Sequence, residues 1–257
     1  QIYDSSVILP FVTFPNGEWW IETEHILWTL SPYVKGRKLE FSHSGDRKRA
    51  VSTVQQFHQD ANQVYPSEPI LTEFPILLRW KRRLQAFENT AYLFHKYRYQ
   101  VLYQDLLKTM QTYFELAEVI PWDSLDEAAR QSGQWIHRDV ASHNFLTNDD
   151  TEQTVLIDFD LLTMGTPLQD YIQLGQRFLA YLAWDLDGLI NVQMVPDSWL
   201  KYWLTGIMIP SDVIREWLYT VTHGTEAMVQ HHLTRLSSEW SMRRHFLQKA
   251  EIMLKSL

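Results

Sequence analysis

Trp135-Ile136-His137-Arg138-Asp139-Val140-Ala141-Ser142-His143-Asn144-Phe145-Leu146 is the stretch from which the fold is read. It contains the pattern H-x-D-x-x-x-x-N, and Val155-Leu156-Ile157-Asp158-Phe159-Asp160 follows it. Phosphoryl transfer needs a carboxylate that orients or deprotonates an attacking hydroxyl. It also needs oxygen ligands that hold magnesium against phosphates. Asp139 can supply the first; Asn144 offers a neutral amide oxygen and Asp158 a charged one. A loop between short strands can aim all three at one point without burying an unpaired charge. Alone, the first pattern is a moderate signal, and the I-D-F-D run strengthens it. A third piece, Gly165-Thr166-Pro167-Leu168-Gln169-Asp170, opens a helix. Asp170 lies just inside it, where a negative charge suits the helix dipole.

Outward from this segment the chain changes character. Upstream, Ser6 to Phe14 is apolar and β-branched, and Pro15-Asn16-Gly17 is a hairpin signal. Strands are expected at 7–14, 18–22 and 26–30, with Tyr33-Val34-Lys35-Gly36-Arg37 as a connecting segment. Ala50, Val51, Val54, Phe57, His58, Ala61 and Val64 recur at helical spacing. Longer helical stretches are expected over 72–97 and 100–118. A short helix should begin near Pro121, capped by Asp123 or Ser124. Thr154-Val155-Leu156-Ile157 is the clearest strand near the motif. After Pro167 helices return, broken near Pro196 and Pro210.

Composition narrows the classes. Hydrophobic residues make up 45% and charged residues 21% of the 257, which is ordinary for a globular chain. Cysteine is absent, which excludes disulfide scaffolds, thiolate metal sites and cysteine nucleophiles. The formal net charge of -8 opposes general nucleic-acid binding. No apolar run reaches the roughly 18–20 residues of a membrane helix. Eleven tryptophans are expected mainly as core anchors.

The three patterns together resemble the aminoglycoside phosphotransferase and choline kinase group within the protein-kinase-like fold. Residues 137–146 with 156–161 are most similar to its spore-coat-associated branch from spore-forming bacilli. The aminoglycoside enzymes usually carry Gly where Arg138 stands here. The resemblance implies an α+β, protein-kinase-like fold with a mostly helical carboxy-terminal lobe and a truncated antiparallel β amino-terminal lobe. It divides the chain into 1–34, a remnant of the small lobe and hinge, and 35–257, the helical lobe. It implies ATP and Mg2+ as cofactors and a small-molecule hydroxyl acceptor, such as an amino alcohol or sugar. Asp139 becomes the catalytic base, and Asn144 and Asp158 the metal ligands, Asp158 also meeting the nucleotide. Ser31 and Tyr33 would bind adenine through the hinge backbone. His137 would hold the loop, and Asp160 would be an outer member of the metal shell. The helix ending in Phe57-His58 resembles the first helix of the large lobe.

The sequence also departs from that pattern. No lysine precedes the hinge, and no G-x-G-x-x-G loop occurs. The expectation is a carboxy-terminal part of a longer chain that by itself binds ATP weakly. The rival reading is a catalytically weak or inactive kinase-like scaffold, for example a spore-coat structural or interaction protein. The place of action would be the cytoplasm or the spore coat, with spore-coat proteins as partners and neither nucleic acid nor membrane. Trp184, Asp185 and Asp187 are candidates for a cationic acceptor through cation–π and charge attraction. Glu239-Trp240 is a weaker candidate. Arg79-Trp80-Lys81-Arg82-Arg83 is the one dense basic cluster, a solvated helix face or a contact for an anionic partner.

Overall fold

A computed structural model describes residues 5–65 and 75–257. These fall into two compact units: residues 1–70 with 129–170, and residues 71–128 with 171–257.

The first unit holds the strands. β1 (Ile21–Thr23) and β2 (Ile26–Trp28) form an antiparallel pair. Its two-residue turn, Glu24-His25, has φ of 49° and 67°. Such left-handed pairs match the twist of a tight hairpin. β3 (Gly36–Lys38), β5 (Phe145–Asn148) and β6 (Thr154–Leu156) form a three-stranded antiparallel sheet in the order β3-β5-β6. β4 (Trp135–Ile136) pairs with β7 (Thr163–Met164). Helix α1 (Ser44–Asp60) packs on β6. Its buried face of Ala50, Val51, Val54 and Phe57 meets Val155 and Leu156 in the core of this unit. Asp46, in the first turn of α1, is buried and accepts both Arg37 nitrogens at 2.6 and 2.7 Å and the Glu40 N–H at 2.9 Å. The Arg37 guanidinium holds the Asp46 carboxyl far below the usual carboxylate range, against the opposing push of burial.

Several expectations are corrected here. Residues 7–14 are not a continuous strand; only isolated bridges at Ile8 to Leu156 and Val12 to Leu30 form. Pro10 and Pro15 lack an N–H and interrupt any ladder. The Asn16-Gly17 turn exists, closed by Phe14 N–H to Glu18 O at 2.8 Å, but the paired strands flank Glu24-His25 instead. Residues 36–38, expected as a connection, are strand β3. Gly36 is required there, because a Cβ would stand 1.9 Å from the Thr147 carbonyl oxygen. Helix α1 ends before Ala61 and Val64.

The second unit is helical. α2 (Ile76–Glu88), α3 (Ala91–Lys96) and α4 (Gln100–Glu118) precede α5 (Trp122–Gln131), whose last residues enter the first unit. α6 (Leu168–Leu179) begins in the first unit and continues here. α7 (Leu186–Ile190), α8 (Asp197–Met208), α9 (Ser211–His223) and α10 (Glu226–Ser256) complete it. The stretch expected as one helix over 72–97 is two, broken at Asn89-Thr90; residues 72–74 of it lie outside the described residues. Thr90 stops α2 by donating its hydroxyl to Phe87 O at 2.7 Å, a local bond that competes with the helix. Asp123 lies in the first turn of α5, not at its cap. Tryptophans do anchor this core. Trp80 packs edge-on to Trp122 at 5.6 Å. Trp217 lies 4.7 Å from Phe94 and donates to Thr90 Oγ1 at 2.8 Å. Trp203 donates to Tyr171 O at 2.9 Å. The buried indole N–H groups of Trp217 and Trp203 thus each have an acceptor.

Candidate active site

Strand register assembles the site. β5 and β6 pair Phe145 with Leu156, so Asn144 and Ile157 stand opposite each other just beyond the ladder. The Ile157 N–H donates to Asn144 O at 3.0 Å and extends the pairing one step. Asp158 follows at once, with φ of +66°. That conformation is one Asp tolerates better than most residues. It turns the chain out of the sheet, and the Asp158 side chain is exposed. Phe159 anchors the turn, its ring 4.8 Å from His137 and 5.8 Å from Phe57.

Asn144 is buried and ties the loop together. Its Nδ2 donates to Asp139 O at 2.9 Å and to Asp139 Oδ2 at 3.2 Å. Its Oδ1 accepts no hydrogen bond among the described residues. His137 is buried between strands. Nδ1 accepts the Asp139 N–H at 3.3 Å, and Nε2 meets Ile157 O at 3.0 Å. Both contacts are met by an imidazole carrying its proton on Nε2. Asp160 is exposed, two residues beyond Asp158.

Asp170, read from sequence as a residue suiting the helix dipole, is the anchor of the whole loop. It is fully buried. Its carboxylate accepts the His137 N–H at 2.8 Å, the Arg138 N–H at 2.8 Å and His58 Nε2 at 3.0 Å. Burial pushes its pKa up, but the hydrogen bond and charge of His58, with those of His137, outweigh this and hold it below the ordinary value. The anchor holds an unusual backbone: Arg138 has φ of +67°. Sequence did carry a signal. Leu168, Tyr171, Ile172 and Leu174 make the start of α6 apolar on most sides. A carboxylate placed among them has little choice but to go inside and find donors.

The donor set suits magnesium. One exposed carboxylate, Asp158, has neither hydrogen bond nor ion pair among the described residues, and Asn144, opposite the preceding Ile157, carries an amide oxygen that accepts no hydrogen bond among them. No group of three or more His, Cys, Asp or Glu that could hold a metal exists among the described residues. Magnesium does not require one. It binds through one or two protein oxygens and completes its shell with water and substrate phosphates.

Ser31 and Tyr33 lie on an exposed strip. Residues 31–34 make no backbone–backbone hydrogen bond among the described residues, so their N–H and C=O groups are open to a ligand. Trp184, Asp185 and Asp187 lie in the second unit. Trp184 is buried, and the Arg243 guanidinium sits 4.9 Å from its ring centroid. The cation expected over Trp184 is therefore one of the chain's own side chains. Asp185 caps α7, accepting the Gly188 N–H at 2.9 Å. Asp187 is exposed in the first turn of that helix. Trp240 is buried, its indole donating to Asp105 Oδ2 at 2.7 Å.

Residues 13–189 match the phosphotransferase enzyme family, APH. The chain belongs to this family. Among solved structures, an aminoglycoside phosphotransferase from Alicyclobacillus acidocaldarius is similar at 18% identity and a TM-score of 0.77, over 99% of this chain and 80% of that one. The spectinomycin phosphotransferase APH(9)-Ia, solved with ADP and spectinomycin, shows 14% identity and a TM-score of 0.50, over 100% of this chain and 79% of that one. The GDP complex of aminoglycoside 2'-phosphotransferase-IIIa shows 15% identity and a TM-score of 0.52, over 92% and 77%. Among curated proteins no sequence match is found. At these identities the structural likeness concerns the fold: this phosphotransferase is a kinase-like α+β protein, mostly helical, with small antiparallel sheets.

Proposed function

We propose that this phosphotransferase moves the γ-phosphoryl group of ATP to a hydroxyl of a small amino alcohol or sugar-like acceptor. The observation that carries the reading is the pairing of Asp139, tethered through Asn144, with the unpartnered Asp158 carboxylate. Asp139 orients the acceptor hydroxyl and takes its proton. The hydroxyl oxygen forms a bond to the γ-phosphorus, the bond from that phosphorus to the bridging oxygen breaks, and ADP departs. Asn144 Oδ1 and Asp158 are the residues that would hold Mg2+, which when bound neutralises charge on the phosphates. Asp160 would support that shell. The open backbone of Ser31 and Tyr33 receives the adenine edge, and His137 fixes the loop. In this reading residues 1–34 are small lobe and hinge, and 35–257 the helical lobe. Asp185 and Asp187 remain acceptor candidates through charge, with Trp184 as the packed wall behind them. The resemblance to the spore-coat branch favours the cytoplasm or the spore coat as the place of action, with coat proteins as partners.

The test is calorimetric titration with ATP and Mg2+, beside Asp158→Asn, followed by turnover with an acceptor panel for Asp139→Asn. Magnesium-dependent binding that weakens in Asp158→Asn, and turnover that disappears in a folded Asp139→Asn, is the expected result. Binding without turnover in any acceptor, unchanged by Asp139→Asn, would favour the inactive scaffold.

A further inference from the structure

The basic run on α2 acquires a context that sequence did not show. Within the second unit α2 packs against α9, and α9 against α10. Arg83 of α2 donates to the Ser211 hydroxyl at 2.6 Å and makes no ion pair among the described residues. Arg215 of α9 is half-buried and has neither hydrogen bond nor ion pair among the described residues. Arg215 and Arg235 line a cleft of about 350 Å³ between α9 and α10, together with Glu216, Tyr219, Thr220 and His232. Arg235 meets Glu216 at 3.5 Å and Glu239 at 4.0 Å, both loose contacts. The nearby Asp212 is already taken by both terminal nitrogens of Arg243 at 2.8 Å.

The cleft therefore holds two guanidinium groups, Arg215 without a carboxylate partner among the described residues and Arg235 loosely paired, on a chain whose formal net charge is -8. Burial, then Arg215 and Arg79 as like charges, push the Arg83 pKa down to about 10. Apart from Glu216, the remaining walls are neutral. Thr220 Oγ1 donates to Glu216 O at 2.9 Å and so accepts from His232 Nδ1 at 3.0 Å. Burial, with Arg235 and His231 adding to it, lowers His232 to about 4. Its ring is therefore uncharged near neutrality. The Tyr219 ring stacks on His223 at 4.5 Å, and its hydroxyl adds a donor. A guanidinium without a carboxylate partner, beside a second one held only by loose contacts, matches the fork geometry of a phosphoryl oxyanion.

We propose that the α9–α10 cleft is a binding site for a phosphoryl oxyanion, either free phosphate or a small phosphomonoester, held by Arg215 and Arg235. The site is made by the second unit alone and stands independently of the catalytic assignment.

The full chain is titrated calorimetrically with inorganic phosphate and, separately, with glycerol 3-phosphate, at constant ionic strength set by chloride. Binding is expected, and Arg215→Gln and Arg235→Gln should each weaken it about tenfold, the worth of one charge-assisted contact. Glu216→Gln removes the competing carboxylate and should tighten binding about threefold, a gain that misfolding cannot imitate. Tighter binding of glycerol 3-phosphate identifies a phosphomonoester; equal or stronger binding of phosphate identifies the free anion. No heat with the parent chain, or heats unchanged in both arginine variants and in Glu216→Gln, overturns the proposal.

Discussion

Asp170 performs no chemistry, yet the position of Asp139 hangs on it. One carboxylate satisfies two consecutive backbone amides and an imidazole. Asp170→Asn keeps the shape but turns an NH2 group toward an N–H donor. We expect a destabilisation of about 3 kcal/mol, as for breaking a buried charged network, read as a lower Tm. Turnover should fall about a hundredfold in the folded fraction, because Asp139, the proposed base, is displaced from its aim. The pH dependence has a definite sign. The folded pKa of Asp170 is depressed, so its contribution is fully present above the ordinary carboxylate pKa of about 4. It disappears as pH falls through the folded value. Acid melting curves of the parent should steepen below about pH 4, and those of Asp170→Asn should be flatter there. Arg215 is a different case, a like charge that helps push down the Arg83 pKa. Its change to Gln relieves Arg83 and should leave Tm unchanged or slightly higher in thermal melts.

At the scale of elements, what was legible depended on length. Helices of 13 to 19 residues such as α1, α2 and α4 repeat their apolar face several times, and the sequence showed them. Strands of two to four residues are too short for a period of two to declare itself. β3 pairs with β5 across more than a hundred residues, Gly36 against Asn148, and nothing local to Gly36 announces that partner. The site divides in the same way. The nearness of Asn144 to the start of the Asp158 turn follows from the β5–β6 register, and Asp139 is joined to it by the Asn144 side chain. The partners of Asp170 were not readable, since His58 lies 112 positions away. Trp184 was read as a candidate for a cationic acceptor, and a sequence does not show that Arg243 packs on its ring. The element prediction follows from the tightest backbone approach. Gly36→Ala sets a Cβ 1.9 Å from Thr147 O and must part β3 from β5. A loss of about 2 kcal/mol or more is expected in denaturant titration, in the range of overpacked core sites.

For the whole molecule, charge and stability are both uneven. Acids outnumber bases 31 to 23, and the sequence pI is about 5.7. Against that background, Trp19, Trp20, Leu27 and Trp28 are exposed within ten residues of one another. Near pH 5.7 the repulsion that keeps such surfaces apart vanishes, so turbidity should peak there and fall on either side. Stability is equally local. Loop amides ordinarily exchange their protons with solvent quickly, because opening them costs little. Those of His137 and Arg138 sit in a loop but point into a buried carboxylate. In a deuterium-exchange map they should persist with the slow amides of the helical core, with or without nucleotide. The alignment of Asp139, the proposed base, is thus completed when the chain folds, and a substrate that arrives finds it already set.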